Sequence, residues 1–261
     1  MLFDKIIIKL CKFLNNFMFI DFCVPIYNEE KILKNNVLKL LNYCNSQNFS
    51  FDWQIAIINN GSTDNSEKIC QELFNKYPQK IKIENIKQSG KGRALKLYWQ
   101  KSKADIVVYM DIDLAVSLNN ISDLINPIIK ENYDLVIGSR LLPDSKIKRS
   151  LIRELSSQSY IFLSKIILKH NFFDLQCGFK AIKVGIFKKI SPYVKDNKWF
   201  FDTELIFFTK YFGYKIKEIP VDWEEEKYDK RKTKVNIFKD SFDFLISLLR
   251  LKIKLSLKIG I

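Results

Sequence analysis

A chain of 261 residues with 47 % apolar and 28 % charged side chains holds enough apolar material for one substantial core, which excludes wholesale disorder. The formal charge of +14 asks for an anionic partner, yet the lysines are spread along the whole chain. A nucleic-acid reader would gather basic and aromatic residues on one element, so nucleic acid is excluded as the partner.

The single histidine, His170, and five cysteines without C-x-x-C spacing (Cys11, Cys23, Cys44, Cys70, Cys177) exclude a His/Cys-rich metal centre and argue against a Ser-His-Asp triad. Any metal must therefore use oxygen ligands, and the thiols are expected reduced, in a cytoplasmic setting.

In chain order, residues 1–17 place Leu2, Phe3, Ile6, Ile7, Leu10, Phe13, Leu14 and Phe17 along one helical face with Lys5, Lys9 and Lys12 off it. That is the pattern of an interfacial helix. Charges inside the apolar stretch, and the lack of a small-residue cleavage site after it, argue against a signal peptide. Apolar β-branched runs then alternate with helical spacing. Strands are predicted at Phe19–Ile26, Trp53–Ile58, Ile81–Ile86, Asp105–Met110 and Asp134–Ile137. Helices are predicted at Glu29–Cys44, Asp64–Tyr77, Gly90–Lys101 and Ile121–Lys130. Ser62-Thr63-Asp64 offers N-cap chemistry to the second of these. Beyond Arg140 come a long helix over Lys148–Lys169, a strand near Phe179–Val184, a helix near Phe200–Tyr211 and a strand over Ile216–Trp223.

The alternation predicts an α/β domain over 18–235 with a largely parallel sheet, its N-terminal half binding nucleotide and its C-terminal half building the acceptor side. Residues 236–261 form a second amphipathic segment. There Phe238, Phe242, Leu245 and Leu249 follow helical spacing, whereas LKIKLSLKI alternates with period two and reads as a strand or irregular end. No run is apolar enough for a transmembrane helix.

The chemistry concentrates at strand ends. Asp111-Ile112-Asp113 follows the fourth strand, so two carboxylates one residue apart can address one Mg²⁺ or Mn²⁺ if a diphosphate supplies further oxygens. Val24-Pro25-Ile26-Tyr27-Asn28-Glu29-Glu30 closes the first strand and Asn59-Asn60-Gly61-Ser62-Thr63-Asp64 the second. Gly90-Lys91-Gly92-Arg93 opens the third helix, where free N–H groups and basic side chains favour an anion.

These segments, with GSR, DLQCGFKAIK, WFFDTELIF and EIPVDWEEE downstream, resemble the family 2 glycosyltransferases. Within them the resemblance is to the dolichyl-phosphate β-glucosyltransferases and related polyprenyl-phosphate glycosyltransferases, from about Phe19 to Asp240. The resemblance implies a GT-A fold, a Rossmann-like, mostly parallel sheet flanked by helices. It implies an inverting transfer of a sugar, glucose first, from a UDP-sugar to a polyprenyl or dolichyl phosphate. By the same resemblance, Pro25, Tyr27 and Glu29 line the nucleoside site, and Asp111 and Asp113 hold the diphosphate through the metal. Arg140, with Arg149 or Arg153, faces acceptor or donor phosphates; Gln176 and Asp202 border the sugar and acceptor pocket; Lys91 and Arg93 add positive charge.

Asn59 and Asn60 depart from the acids that relatives carry where the base is read. Asparagine keeps an acceptor oxygen but adds donors and loses charge. A lipid acceptor and basic amphipathic termini together place the enzyme peripherally on the cytoplasmic face of an anionic membrane. The competing reading is a family 2 transferase that extends a cell-surface glycan through a hydroxyl acceptor.

Overall fold

The computed structural model describes residues 18–148, 151–224 and 237–257, the side chains of 151–156 and 237–242 excepted. The amphipathic segment 1–17 lies outside these residues, as does Arg149; Arg153 is described only as backbone.

Seven strands form the main sheet: β1 (Phe19–Ile26), β2 (Asp52–Asn59), β3 (Ile81–Asn85), β4 (Ile106–Met110), β5 (Leu135–Ser139), β7 (Phe179–Lys183) and β8 (Ile216–Pro220). Their order is β3-β2-β1-β4-β7-β5-β8, and only β7 runs against its neighbours. The central strands are mostly apolar because both faces are covered, with Asp21 and Lys180 as buried exceptions. Alternation then assigns each residue to a side. In β4, Ile106, Val108 and Met110 join one core, while Val107 and Tyr109 join the other.

The first face carries α1 (Leu33–Ser46), α2 (Ser66–Lys76) and α4 (Ile121–Lys130). The second carries α3 (Lys91–Lys101), α6 (Val184–Ile190), α7 (Phe201–Tyr211) and parts of α5 (Leu151–Leu168) and α8 (Ile237–Leu257). Asp21 is buried in β1 but fully engaged, accepting from Tyr98 Oη (2.8 Å), Ser102 Oγ (2.6 Å) and Gln54 Nε2 (2.6 Å).

The predicted strands and long helices are present with small boundary shifts, and three expectations change. The cap of α2 is Asn65, whose side chain makes no capping bond; instead Asp64 Oδ1 accepts the Ser66 N–H at 3.0 Å. The strand expected over Ile216–Trp223 breaks at Pro220, which has no N–H to extend a ladder. After it, β9 (Asp222–Glu224) pairs in parallel with the short β6 (Lys146–Lys148).

The period-two tail is a helix through Leu257. Its apolar residues occupy two faces: Leu248 and Leu251 are buried, with Leu255 against the same core, whereas Leu249, Ile253 and Leu257 are exposed. Two apolar faces on one helix read in sequence as alternation. The helix packs beside α5, with the Phe244 and Tyr160 rings tilted against each other, their centroids 5.0 Å apart.

Candidate active site

Because β1, β2, β4 and β5 are parallel, their carboxyl ends share one sheet edge. The antiparallel β7 brings its amino end, and the preceding Asp174–Gly178 segment, to that same edge. Chain direction reverses its sideways progression between β1 and β4, which is where open α/β sheets bind ligands. One topological feature therefore collects the motifs after β1, β2, β4 and β5 and before β7.

Asp111 leaves β4 with its N–H bonded to the Gly178 carbonyl at 3.2 Å. Tyr109 Oη donates to Asp111 Oδ1 at 2.9 Å. Asp113 Oδ1 accepts the Ala115 N–H at 3.3 Å, and Leu114 between them takes a φ of 51°, costly for a branched side chain. The turn is held against β9, where Ser117 N–H donates to Asp222 O and Glu224 N–H to Ala115 O, both at 2.8 Å. Asp111, Asp113, Arg140, Gln176, Gly178 and Trp223 line one cleft.

Behind the cleft runs a chain of alternating charge. Lys91 Nζ lies 3.5 Å from Asp111 Oδ1 and 3.6 Å from Asp202 Oδ2. It also sits over the Tyr109 ring at 4.6 Å and the Trp199 ring at 5.0 Å. Burial opposes its charge, but Asp111 and Asp202 outweigh that and hold its pKa above the ordinary lysine value. Lys180 is wholly buried and donates to Asp202 Oδ1 at 2.7 Å and to the Cys177 carbonyl.

Lys180 was not singled out from the sequence. Its signal is a lysine within the buried strand FKAIK, a position that needs a buried anion. Gly178, Tyr109, Trp199 and Trp223 were likewise missed, since each matters through a contact that closes only in three dimensions.

Arg140 is committed to Asp174. Its Nε donates at 2.7 Å, its Nη2 at 3.1 Å and its backbone N–H at 3.1 Å. Burial raises the Asp174 pKa, but the guanidinium more than offsets it and holds that carboxyl below the usual range. Gln176 donates its backbone N–H to Asp174 Oδ1 (2.9 Å) and its Nε2 to Thr203 Oγ1 (2.8 Å), so the cleft wall is rigid.

The segments after β1 and β2 clasp one another. Asn28 N–H donates to Ser62 Oγ (3.0 Å), Thr63 N–H to Asn28 Oδ1 (2.7 Å), Glu29 N–H to Ser66 Oγ (2.9 Å) and Glu30 N–H to Asp64 Oδ2 (3.1 Å). Pro25 and Glu29 stay largely inside, and Tyr27 is exposed. Asn59 Oδ1 accepts the Ser62 N–H at 3.1 Å and its Nδ2 donates to Asn85 Oδ1 at 3.1 Å. Asn85 in turn donates to Glu67 Oε1 at 3.3 Å. An acceptor-only carboxylate at one end and a backbone N–H at the other fix both amide orientations. Asn60 Oδ1 is buried and accepts no hydrogen bond among the described residues.

One expectation fails here. The N–H groups opening α3 are not free: Gly92 N–H donates to Lys198 O (3.2 Å) and Arg93 N–H to Asn197 O (3.1 Å). Arg93 Nη1 donates to the Ser89 carbonyl. Loop carbonyls take these donors, so the positive charge of this helix start comes from the Lys91 and Arg93 side chains.

Among the described residues no three or more His, Cys, Asp or Glu side chains form a ready metal cage. Two carboxylates at a cleft still suit an ion of the Mg²⁺ class, which keeps several waters and takes the rest of its shell from substrate phosphates. The donor set fits such an ion only together with a diphosphate.

The sequence matches the family described as glycosyl transferase family 2 over residues 21–191. It is 30 % identical over 217 residues to glycosyltransferase AglD of Haloferax volcanii, covering 83 % of this chain and 34 % of that protein. The chain thus spans about a third of that relative's length. It is 29 % identical over 224 residues to dolichyl-phosphate beta-glucosyltransferase ALG5D of Trichomonas vaginalis (82 % of this chain, 68 % of that one). It is 28 % identical over 247 residues to the dolichyl-phosphate beta-glucosyltransferase of Saccharomyces cerevisiae (88 % and 74 %).

Among solved structures it resembles glucosyl-3-phosphoglycerate synthase of Mycobacterium tuberculosis in complex with Mn²⁺, UDP-glucose and phosphoglyceric acid. The TM-score is 0.63 at 16 % identity, over 91 % of this chain and 80 % of that one. The mostly parallel seven-stranded sheet and this likeness make the fold GT-A in type. With the family match covering more than half of its length, the chain belongs to glycosyl transferase family 2.

Proposed function

We propose that this glycosyltransferase moves a hexose, glucose first, from a UDP-sugar to a polyprenyl phosphate of the dolichyl type at the cytoplasmic surface of a membrane. The observation that carries the reading is Asp202, whose two carboxylate oxygens face Lys180 and Lys91 in a buried site. Both of its oxygens are thereby engaged in ion pairs with lysines. A hydroxyl acceptor needs a base, whereas a phosphate acceptor is already ionised near neutral pH. The names of the relatives from Trichomonas vaginalis and Saccharomyces cerevisiae support the same acceptor.

In the mechanism, the phosphate oxygen attacks the anomeric carbon with inversion and the nucleoside diphosphate leaves. Asp111 and Asp113 would hold a Mg²⁺ or Mn²⁺ ion, which when bound supplies charge stabilisation to the leaving diphosphate. Lys91 adds a fixed positive charge beside Asp111. Arg140, fixed by Asp174, and Gln176, fixed by Thr203, border the acceptor side; Pro25, Tyr27, Glu29, Asn59 and Asn60 take the nucleoside at the ends of β1 and β2.

Asp202→Asn is expected to keep turnover within about tenfold of the parent, against the 10²–10⁴ that loss of a general base costs. The buried pair with Lys180 loses a charge, so the melting temperature falls. A folded Asp202→Asn variant with no detectable activity would point to a hydroxyl acceptor instead.

No helix of the described residues is long and apolar enough to cross a membrane. The exposed stripe Leu245, Leu249, Ile253 and Leu257 on α8 repeats every four residues, and α5, which packs against α8, carries exposed Phe162 and Ile166. Arg250 and Lys252 lie along the same helix, whereas Lys254 is paired with Glu204 at 3.7 Å. Such a face suits an anionic bilayer surface, each basic residue contributing about 1 kcal/mol. The protein is expected to float with anionic liposomes at low salt and largely detach at high salt, and Ile253→Glu should weaken the binding. No binding at low salt would contradict the membrane placement.

A further inference from the structure

The position of Lys91 bears on how the site is loaded. Its ammonium faces two carboxylates, Asp111 at 3.5 Å and Asp202 at 3.6 Å, and two aromatic rings, with its side chain only 12 % exposed. Together with Lys180, the cluster holds two cations against two anions and is balanced as it stands.

We propose that Lys91 is a resident counter-cation, which occupies Asp111 in the unloaded protein and cedes it to a divalent ion only when a nucleoside diphosphate arrives to take the ammonium. The proposal rests on the reading of Asp111 as a metal ligand given above.

The physical argument is one of charge. A divalent ion entering alone must share Asp111 with an ammonium within ion-pair distance, in a partly desolvated site where like charges repel strongly. A diphosphate reverses this. It offers Lys91 another anionic partner in place of Asp111, within reach of its four-carbon stem, and supplies oxygens that the two aspartates lack. Metal and nucleotide then bind with positive coupling, and neither gains full affinity alone. The consequence is an ordered site that does not strand a bare metal ion.

The test is a Mn²⁺ titration read by the electron paramagnetic resonance of free Mn²⁺, with and without UDP. It uses the parent protein, Lys91→Met and Lys91→Arg, each checked for its melting temperature. The parent is expected to bind Mn²⁺ weakly alone and about tenfold tighter with UDP. Lys91→Met should bind Mn²⁺ alone about tenfold tighter than the parent and lose most of the UDP effect, while Lys91→Arg, which keeps the charge, should follow the parent.

If Lys91→Met does not fold, Lys91→Gln carries the same expectation. A neutral variant that binds Mn²⁺ alone no tighter than the parent overturns the counter-cation role while leaving the metal reading standing. A parent that binds no Mn²⁺ even with UDP overturns the metal reading and this proposal with it.

Discussion

Replacing Asp111 with alanine is expected to lower sugar transfer by at least about 10³-fold while the protein stays folded, since it removes charge stabilisation from a leaving diphosphate. The fold should survive because the side chain is 44 % exposed and its partners are local, the Tyr109 hydroxyl and the Lys91 ammonium. The stability change should stay within about 1 kcal/mol, as for partly exposed ion pairs. Steady-state transfer rates and a melting curve on the same preparation check both halves. Turnover near the parent value would remove Asp111 from the chemistry and the metal assignment with it.

Gly178→Ala should be nearly as damaging, for a steric reason. A Cβ at Gly178 would stand 2.0 Å from Asp111 Oδ2, 2.6 Å from its Cγ and 3.0 Å from the Tyr109 hydroxyl. Nothing in the glycine backbone forbids alanine, so the conflict falls on one short side chain that must turn out of its seat. The stability cost should be that of mild overpacking, about 1–3 kcal/mol, because an aspartate can rotate toward solvent. Activity should fall by about 10²-fold or more, since carboxylate placement matters at the scale of an ångström. Gly185→Ala is the matched control: its Cβ would meet nothing within 4 Å, and it should leave transfer unchanged. Equal activity in the two variants would contradict the close approach of Gly178 to Asp111.

Much of this architecture was legible in the sequence, and the reasons differ by element. Strands such as Phe19–Ile26 and Ile106–Met110 announce themselves because a sheet covered on both faces needs mostly apolar runs, interrupted in the first only by Asp21. The Asp111–Asp113 pair was legible for the same reason, since a polar segment after such a run falls at a strand end. Pairwise commitments were not legible. Arg140 reads as a free phosphate ligand until Asp174, 34 residues away, is seen holding it through three hydrogen bonds. Lys180 reads as one lysine among many until Asp202 is found beside it. The tail Leu251–Leu257 misleads because apolar residues on two helix faces mimic strand alternation.

Asn59 shows the same limit at the end of β2. Its amide is oriented by Asn85 and Glu67, residues on other elements, so its hydrogen-bonding character could not be read from its own motif.

The most direct measurement is a mass-spectrometric assay of the purified protein with UDP-glucose, Mg²⁺ or Mn²⁺ and a short polyprenyl phosphate. The expected product is heavier than the lipid phosphate by one hexose, with the sugar in a mild-acid-labile phosphodiester linkage. Hexose found only on a glycan hydroxyl, with the polyprenyl phosphate unmodified, would contradict it.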